Sequence, residues 1–177
     1  MKTLTLLRHA KSGWDDPVVR DFDRPLNAKG RRAAVIVGRH MRSEGCAFDH
    51  VVASPATRVS ETIEAITGGY GRALDVRHDR RIYLASAGML LDVIHGLPPA
   101  AATALLVGHN PGLEDLVLML VPAGADRRDL VEEKYPTGTI AELTFEGEWS
   151  ALAAGGATLS RFIRPRDLDP TLGPDED

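Results

Sequence analysis

Three short apolar runs, each ending in polar residues suited to chemistry, constrain this chain more than any other feature. Leu4-Thr5-Leu6-Leu7 gives way to Arg8-His9, and Val51-Val52-Ala53 to Ser54-Pro55-Ala56-Thr57-Arg58. Ala104-Leu105-Leu106-Val107 gives way to Gly108-His109-Asn110-Pro111. Runs this short and apolar read as strands buried on both faces, and helical spacing follows each of them. The pattern predicts an α/β fold: a three-layer αβα sandwich whose central, mostly parallel sheet is flanked by helices. Ligands of such sheets gather beyond the carboxyl ends of the strands. Two arginines and two histidines would therefore share one crevice, a set that suits a phosphate.

The spacing predicts strands at 3–8, 49–53 and 103–108, a weak one at 74–76, and two closing strands at 138–145 and 157–163. Helices are expected at 28–44, 55–66, 87–96 and 111–120. Asn27, Ser54 and Asn110 read as N-caps, Pro55 and Pro111 as first-turn residues, and Gly45 and Gly68-Gly69 as stops. Residues 1–165 are expected to form one domain. The segment 166–177, rich in acids and prolines, reads as a flexible, solvated tail.

With 177 residues the chain can bury a sizeable core, and its net charge of -4 argues against a nucleic-acid binder with a broad basic surface. The single cysteine, Cys46, rules out an internal disulfide or a cysteine-based zinc site. No run approaches the roughly 18 apolar residues of a membrane span, and no signal-peptide pattern precedes Arg8. A cytoplasmic, monomeric protein is the expectation, with no membrane and no nucleic-acid partner.

His9 and His109 carry the chemistry most directly. Near two guanidinium groups an imidazolium is disfavoured, so His9 is expected to be neutral, with a lone pair that can attack phosphorus. Arg8 and Arg58 can each grip phosphoryl oxygens in forked geometry, and Arg58 lies in the first turn of its helix, where an anion is favoured. His109 can donate to those oxygens as charge builds on them. Ser12 could reach the phosphate from the following loop or cap that loop. Asp15, Asp16, Asp21 and Asp23 match no calcium loop and are expected to cap turns and pair with Arg20 and Arg24. Trp14 could wall the pocket. Arg77, Arg80 and Arg81 beside His78 form either a solvated edge or a surface for an acidic protein partner.

Leu7-Arg8-His9-Ala10, Ser54 through Thr62 and Val107 through Gly112 resemble the three signatures of the histidine phosphatase superfamily. Within it, Asp21-Phe22-Asp23-Arg24-Pro25-Leu26-Asn27, Lys29-Gly30 and Tyr83-Leu84-Ala85 resemble the SixA-type phosphohistidine phosphatases. The resemblance covers residues 3 to 163. It implies a phosphoglycerate mutase-like fold without a large cap insertion and His9 as the phosphate-accepting nucleophile. It also implies that Arg8, Arg58 and His109 bind the phosphoryl group, with no metal or cofactor. Ala10 departs from the Gly of many members.

The proton donors of other branches are missing. Asn110 stands where an Asp follows the second histidine, and the stretch Arg81 to Ala85 holds no Glu. Tyr83 and Glu114 are the remaining candidates, and neither is an obvious acid. A site without an acid suits a leaving group that needs little help. The expected substrate is a phosphohistidine on a protein such as a phosphotransfer domain. The alternatives are a small phosphate ester or a non-catalytic phosphate-binding module.

Overall fold

The computed structural model describes residues 1–13 and 19–173, so Trp14, Asp15 and Asp16 lie outside the described residues. Strand β1 (Lys2–Arg8) leads through a 3-10 turn at Asp21–Asp23 to α1 (Ala28–Ser43), β2 (His50–Ala53), α2 (Thr57–Tyr70) and β3 (Val76–His78). A second 3-10 turn at Arg80–Ile82 precedes α3 (Ala87–His95), β4 (Thr103–Gly108), α4 (Gly112–Leu120) and α5 (Arg128–Glu133). The chain closes with β5 (Ile140–Phe145), β6 (Thr158–Ile163) and α6 (Pro165–Leu168). The six strands form one sheet in the order β3-β2-β4-β1-β5-β6. From β3 to β1 the pairing is parallel; β5 and β6 add antiparallel edges.

Alternation along the strands builds two cores. Leu7, Val51, Ala53, Leu105 and Val107 face α1 and α2, while Leu4, Leu6, Val52 and Leu106 face α3 and α4. Both faces are covered, which is the expected three-layer arrangement. Among the described residues no helix is long and apolar enough to cross a membrane.

Tertiary packing overrides the local signals in three places. α2 begins at Thr57 with Ala56 as N-cap, two residues later than the Ser54-Pro55 reading. It also runs through Gly68-Gly69, and Gly71, at φ 79°, ends it. The reason is helix crossing: a Cβ on Gly69 would lie 2.1 Å from the Val35 carbonyl oxygen, and one on Gly38 2.3 Å from that of Ile66. Glycine here lets two backbones approach; it does not stop a helix. Second, α4 begins at Gly112 with Pro111 at the cap, although the Asn110 side chain still accepts from the Glu114 amide at 3.3 Å. Third, residues 166–173 do not behave as a solvated tail. They carry α6 and a 3-10 turn at Pro170–Leu172, with Pro165 and Leu172 buried and Leu168 packed against the α1–α2 core. α5 had no counterpart in the sequence reading. The weak strand expected at 74–76 forms instead as β3 at Val76–His78, where Val76 pairs with Val51 in register with β2. The other elements agree to within two residues at their ends, α1 with Asn27 accepting from the Gly30 amide and β4 with its expected bounds.

Candidate active site

Strand register brings the two histidines together. β1 and β4 are parallel neighbours with Arg8 opposite Gly108, so the residues that follow, His9 and His109, leave the sheet side by side. Their ring centroids lie 5.3 Å apart. The His9 amide bonds the Gly108 carbonyl at 3.0 Å, and the Gly138 amide is shared by the carbonyls of Arg8 and His9. β2 lies on the other side of β4 and delivers Ser54 and, from the first turn of α2, Arg58.

Arg8, His9, Arg58 and His109 line a cavity of about 370 Å³ together with Lys11, Ser12, Asp21, Arg24, Leu84 and Asn110. Arg8, His9, Arg58, His109 and Ser12, the five residues singled out from sequence, all reach it. Among the described residues that line it, four cationic side chains, Arg8, Lys11, Arg24 and Arg58, accompany one carboxylate, Asp21. The cavity is thus electropositive inside an acidic protein. Leu84 stands at its rim, exposed and held at φ 51°, a left-handed backbone that a leucine seldom adopts.

Hydrogen bonding assigns the protons of both rings. His9 Nδ1 lies 2.7 Å from the Ala10 carbonyl oxygen. A carbonyl only accepts, so Nδ1 carries the proton and Nε2 the lone pair. Burial, opposed by that hydrogen bond and reinforced by His109, Arg8 and Arg58, holds the His9 pKa well below the usual imidazole value.

His109 is fixed from the other side. Its Nε2 lies 2.7 Å from Ser54 Oγ, which also accepts the Ala56 amide at 3.2 Å. Ser54 is fully buried. Among the described residues Nε2 is the one acceptor within reach of the buried Ser54 hydroxyl, so donation to Nε2 is the arrangement that satisfies that proton, and it leaves the ring proton on Nδ1. That Nδ1 is buried and bonds nothing among the described residues. It is a donor available to a group entering the cavity. Burial, with the charge of Arg58, lowers the His109 pKa to about 3.

Asp21 organises the arginines. Arg58 gives one terminal nitrogen to the Asp21 backbone oxygen at 2.7 Å and the other to its carboxylate at 3.1 Å, while Arg58 Nε stays buried without a partner. Arg24 Nε and the Tyr83 hydroxyl donate to the same carboxylate at 3.1 and 2.5 Å. Partial burial opposes ionisation of Asp21, but Tyr83, Arg58 and Arg24 outweigh it and hold its pKa at about 2. Burial and the Asp21 charge push the Tyr83 phenol up. Arg24 also donates to Ser12 Oγ at 2.9 Å, and Arg8 and Asn110 both donate to the Tyr135 carbonyl at 3.0 Å.

The expected pairing of Arg20 with Asp23 and of Arg24 with Asp21 is present. The bond from Asp21 to Arg58 and the role of Ser54 were missed. The signal for Asp21 lay in the Asp21–Asn27 stretch already noted. For Ser54 a local cap reading masked a contact 55 residues away. Glu114 does not line the cavity.

Comparison with known proteins gives one consistent result. Residues 4–88 match the model of the histidine phosphatase superfamily, branch 1. An uncharacterised protein of Mycobacterium tuberculosis is 36% identical over 163 residues, spanning 90% of this chain and 100% of that one. The structure from Nakamurella multipartitia assigned as phosphohistidine phosphatase SixA superposes with a TM-score of 0.82 at 33% identity, covering 93% and 96% of the two chains. The Agrobacterium tumefaciens protein with the same assignment has a TM-score of 0.77 at 27% identity, covering 93% and 98%. The chain belongs to the histidine phosphatase superfamily, in its SixA-type branch.

Proposed function

We propose that this chain is a phosphatase that removes the phosphoryl group from phosphohistidine on a protein through a covalent intermediate on His9. The observation that carries the reading is the state of His9. It is a neutral ring whose Nδ1 proton is tied to the Ala10 carbonyl, which leaves the lone pair on Nε2, and the residue lines a cavity rich in cations. Nε2 attacks phosphorus, the bond from phosphorus to the substrate nitrogen breaks, and the substrate ring, protonated on its other nitrogen, leaves as neutral imidazole. Arg8, Arg58 and the Nδ1–H of His109 hold the phosphoryl oxygens as charge builds, in the role a metal ion plays in other phosphatases. Water then attacks the phosphorylated His9, releasing inorganic phosphate and restoring the neutral ring.

The substrate class follows from the lack of a ready proton donor among the described residues of the cavity. Asp21, with its pKa near 2, is ionised at neutral pH, and the Tyr83 phenol is raised and already committed to Asp21. Neither donates a proton readily. General acid catalysis typically contributes about 10²–10⁴-fold, which an alkoxide leaving group requires and an imidazole does not. A small phosphate ester is the second reading, favoured by a cavity whose described lining offers an anion site of about 370 Å³. The test compares kcat/KM for a phosphohistidine peptide with that for phosphoserine, alongside trapping of radiolabelled phosphate on the protein. The expected result is preference for phosphohistidine and label that disappears in His9→Ala. Equal or better turnover of the plain ester, or label that survives the substitution, overturns the proposal.

A further inference from the structure

A second hollow adjoins the phosphate cavity, about 350 Å³ in volume and lined by Arg20, Phe22, Pro55, Arg80 and Tyr83. The two share a wall. Tyr83 lines the hollow and donates its hydroxyl to Asp21, which lines the cavity, and Phe22 follows Asp21 in the same 3-10 turn. The hollow and the cavity are thus adjacent through the Asp21–Tyr83 contact.

The described residues that line it are cationic, aromatic and apolar, with no carboxylate among them. Phe22 and Tyr83 meet edge to face, centroids 5.1 Å apart, and form a fixed apolar floor. Arg20 shares its charge with Asp23. Arg80 is exposed, and its side chain makes no ion pair or hydrogen bond among the described residues. Its neighbour Arg81 differs: three of its bonds go to the Asp79 carboxylate. Asp21 behind the wall does not repel an incoming anion strongly, because Arg58, Arg24 and Tyr83 already cover it. A guanidinium without a partner beside an apolar floor recognises a carboxylate whose methylene stem can lie on the rings.

Resting on the proposed phosphohistidine activity, we infer that the hollow built from Arg20, Phe22, Arg80 and Tyr83 binds an acidic side chain that flanks the phosphohistidine of the protein substrate. The hollow thereby selects substrates by local charge, while the cavity performs the chemistry.

Two phosphohistidine peptides test this, one flanked by glutamates and one by glutamines, each with wild type and Arg80→Gln. A chromogenic phosphate ester reads the cavity alone. Wild type is expected to favour the glutamate peptide about fivefold through KM, the range of a partly exposed ion pair. That preference should fall with added salt and vanish in Arg80→Gln, with kcat and ester turnover unchanged. A lysine-flanked peptide should recover with Arg80→Glu. Equal KM for both peptides with wild type, or a preference that survives Arg80→Gln, overturns the subsite and leaves the activity standing. Turnover of the ester with neither peptide cleaved overturns the activity reading itself.

Discussion

Replacing Ser54 with alanine isolates the electrostatics of His109 from the rest of the site. The serine is fully buried, and its hydroxyl proton satisfies His109 Nε2 at 2.7 Å. Its loss leaves a buried acceptor unsatisfied and removes the reason for the ring proton to reside on Nδ1. If the two neutral tautomers became equal and nothing else changed, the loss would be about twofold, since half the rings would still present a donor. Loss of the donor altogether costs about 10²–10³-fold, as for other transition-state donors. The net worth of one hydrogen bond, about 0.5–1.5 kcal/mol, lies between and corresponds to roughly tenfold at its upper end. Ser54→Ala is therefore expected to lower kcat about tenfold with KM little changed. Steady-state kinetics on a chromogenic ester measures this, with a thermal melt to establish folding. The decisive arm is a double-mutant cycle: in a His109→Asn background the serine should no longer matter for kcat. A folded Ser54→Ala enzyme within twofold of wild type, or one that loses the same factor in both backgrounds, refutes the assignment.

Stability should respond to acid through the same residues. Below about pH 6.5 the unfolded chain protonates His9 and His109, whereas the folded rings refuse the proton, His109 until about pH 3. The unfolded state then binds more protons, so stability falls as pH drops through this window. Asp21, depressed to about 2, adds its own loss only below the unfolded carboxylate value of about 3.9. Denaturant midpoints should fall between pH 7 and pH 5 in wild type and fall less in His109→Gln; equal slopes would count against buried neutral rings. A pair of glycines in α2 tests the helix crossing. Gly69→Ala, whose Cβ would meet the Val35 carbonyl oxygen, should cost about 1–3 kcal/mol. Gly68→Ala, with nothing within 4 Å, should stabilise by up to about 1 kcal/mol. Thermal melts that move both variants the same way would remove that explanation.

The parts of the molecule legible in sequence are those in which local pattern and tertiary packing agree. β1 and β4 are apolar because both faces are covered, and their ends carry His9 and His109 because parallel register leaves those residues adjacent. Where one residue serves two masters, the local reading fails. Ser54 looks like a helix cap and spends its proton on His109; Gly69 looks like a stop and is a crossing point. Asp21 looks like a loop carboxylate paired with Arg24, which it is, yet its longer reach to Arg58 follows from where α2 delivers that arginine. Residues 166–173 misled by composition alone, since Leu168 and Leu172 anchor them.

The carboxylate of Asp21 gives this cavity an internal competitor. Both terminal nitrogens of Arg58 already hold that residue, so a phosphoryl group entering here exchanges with an anion the protein carries itself. Its affinity is then a difference between two anions, and inorganic phosphate, the simplest of them, gains least from the exchange. A substrate brings further contacts beyond its phosphate and can win; the product brings none. On the proposed function, the Asp21 carboxylate would thus favour release of free phosphate after each turnover.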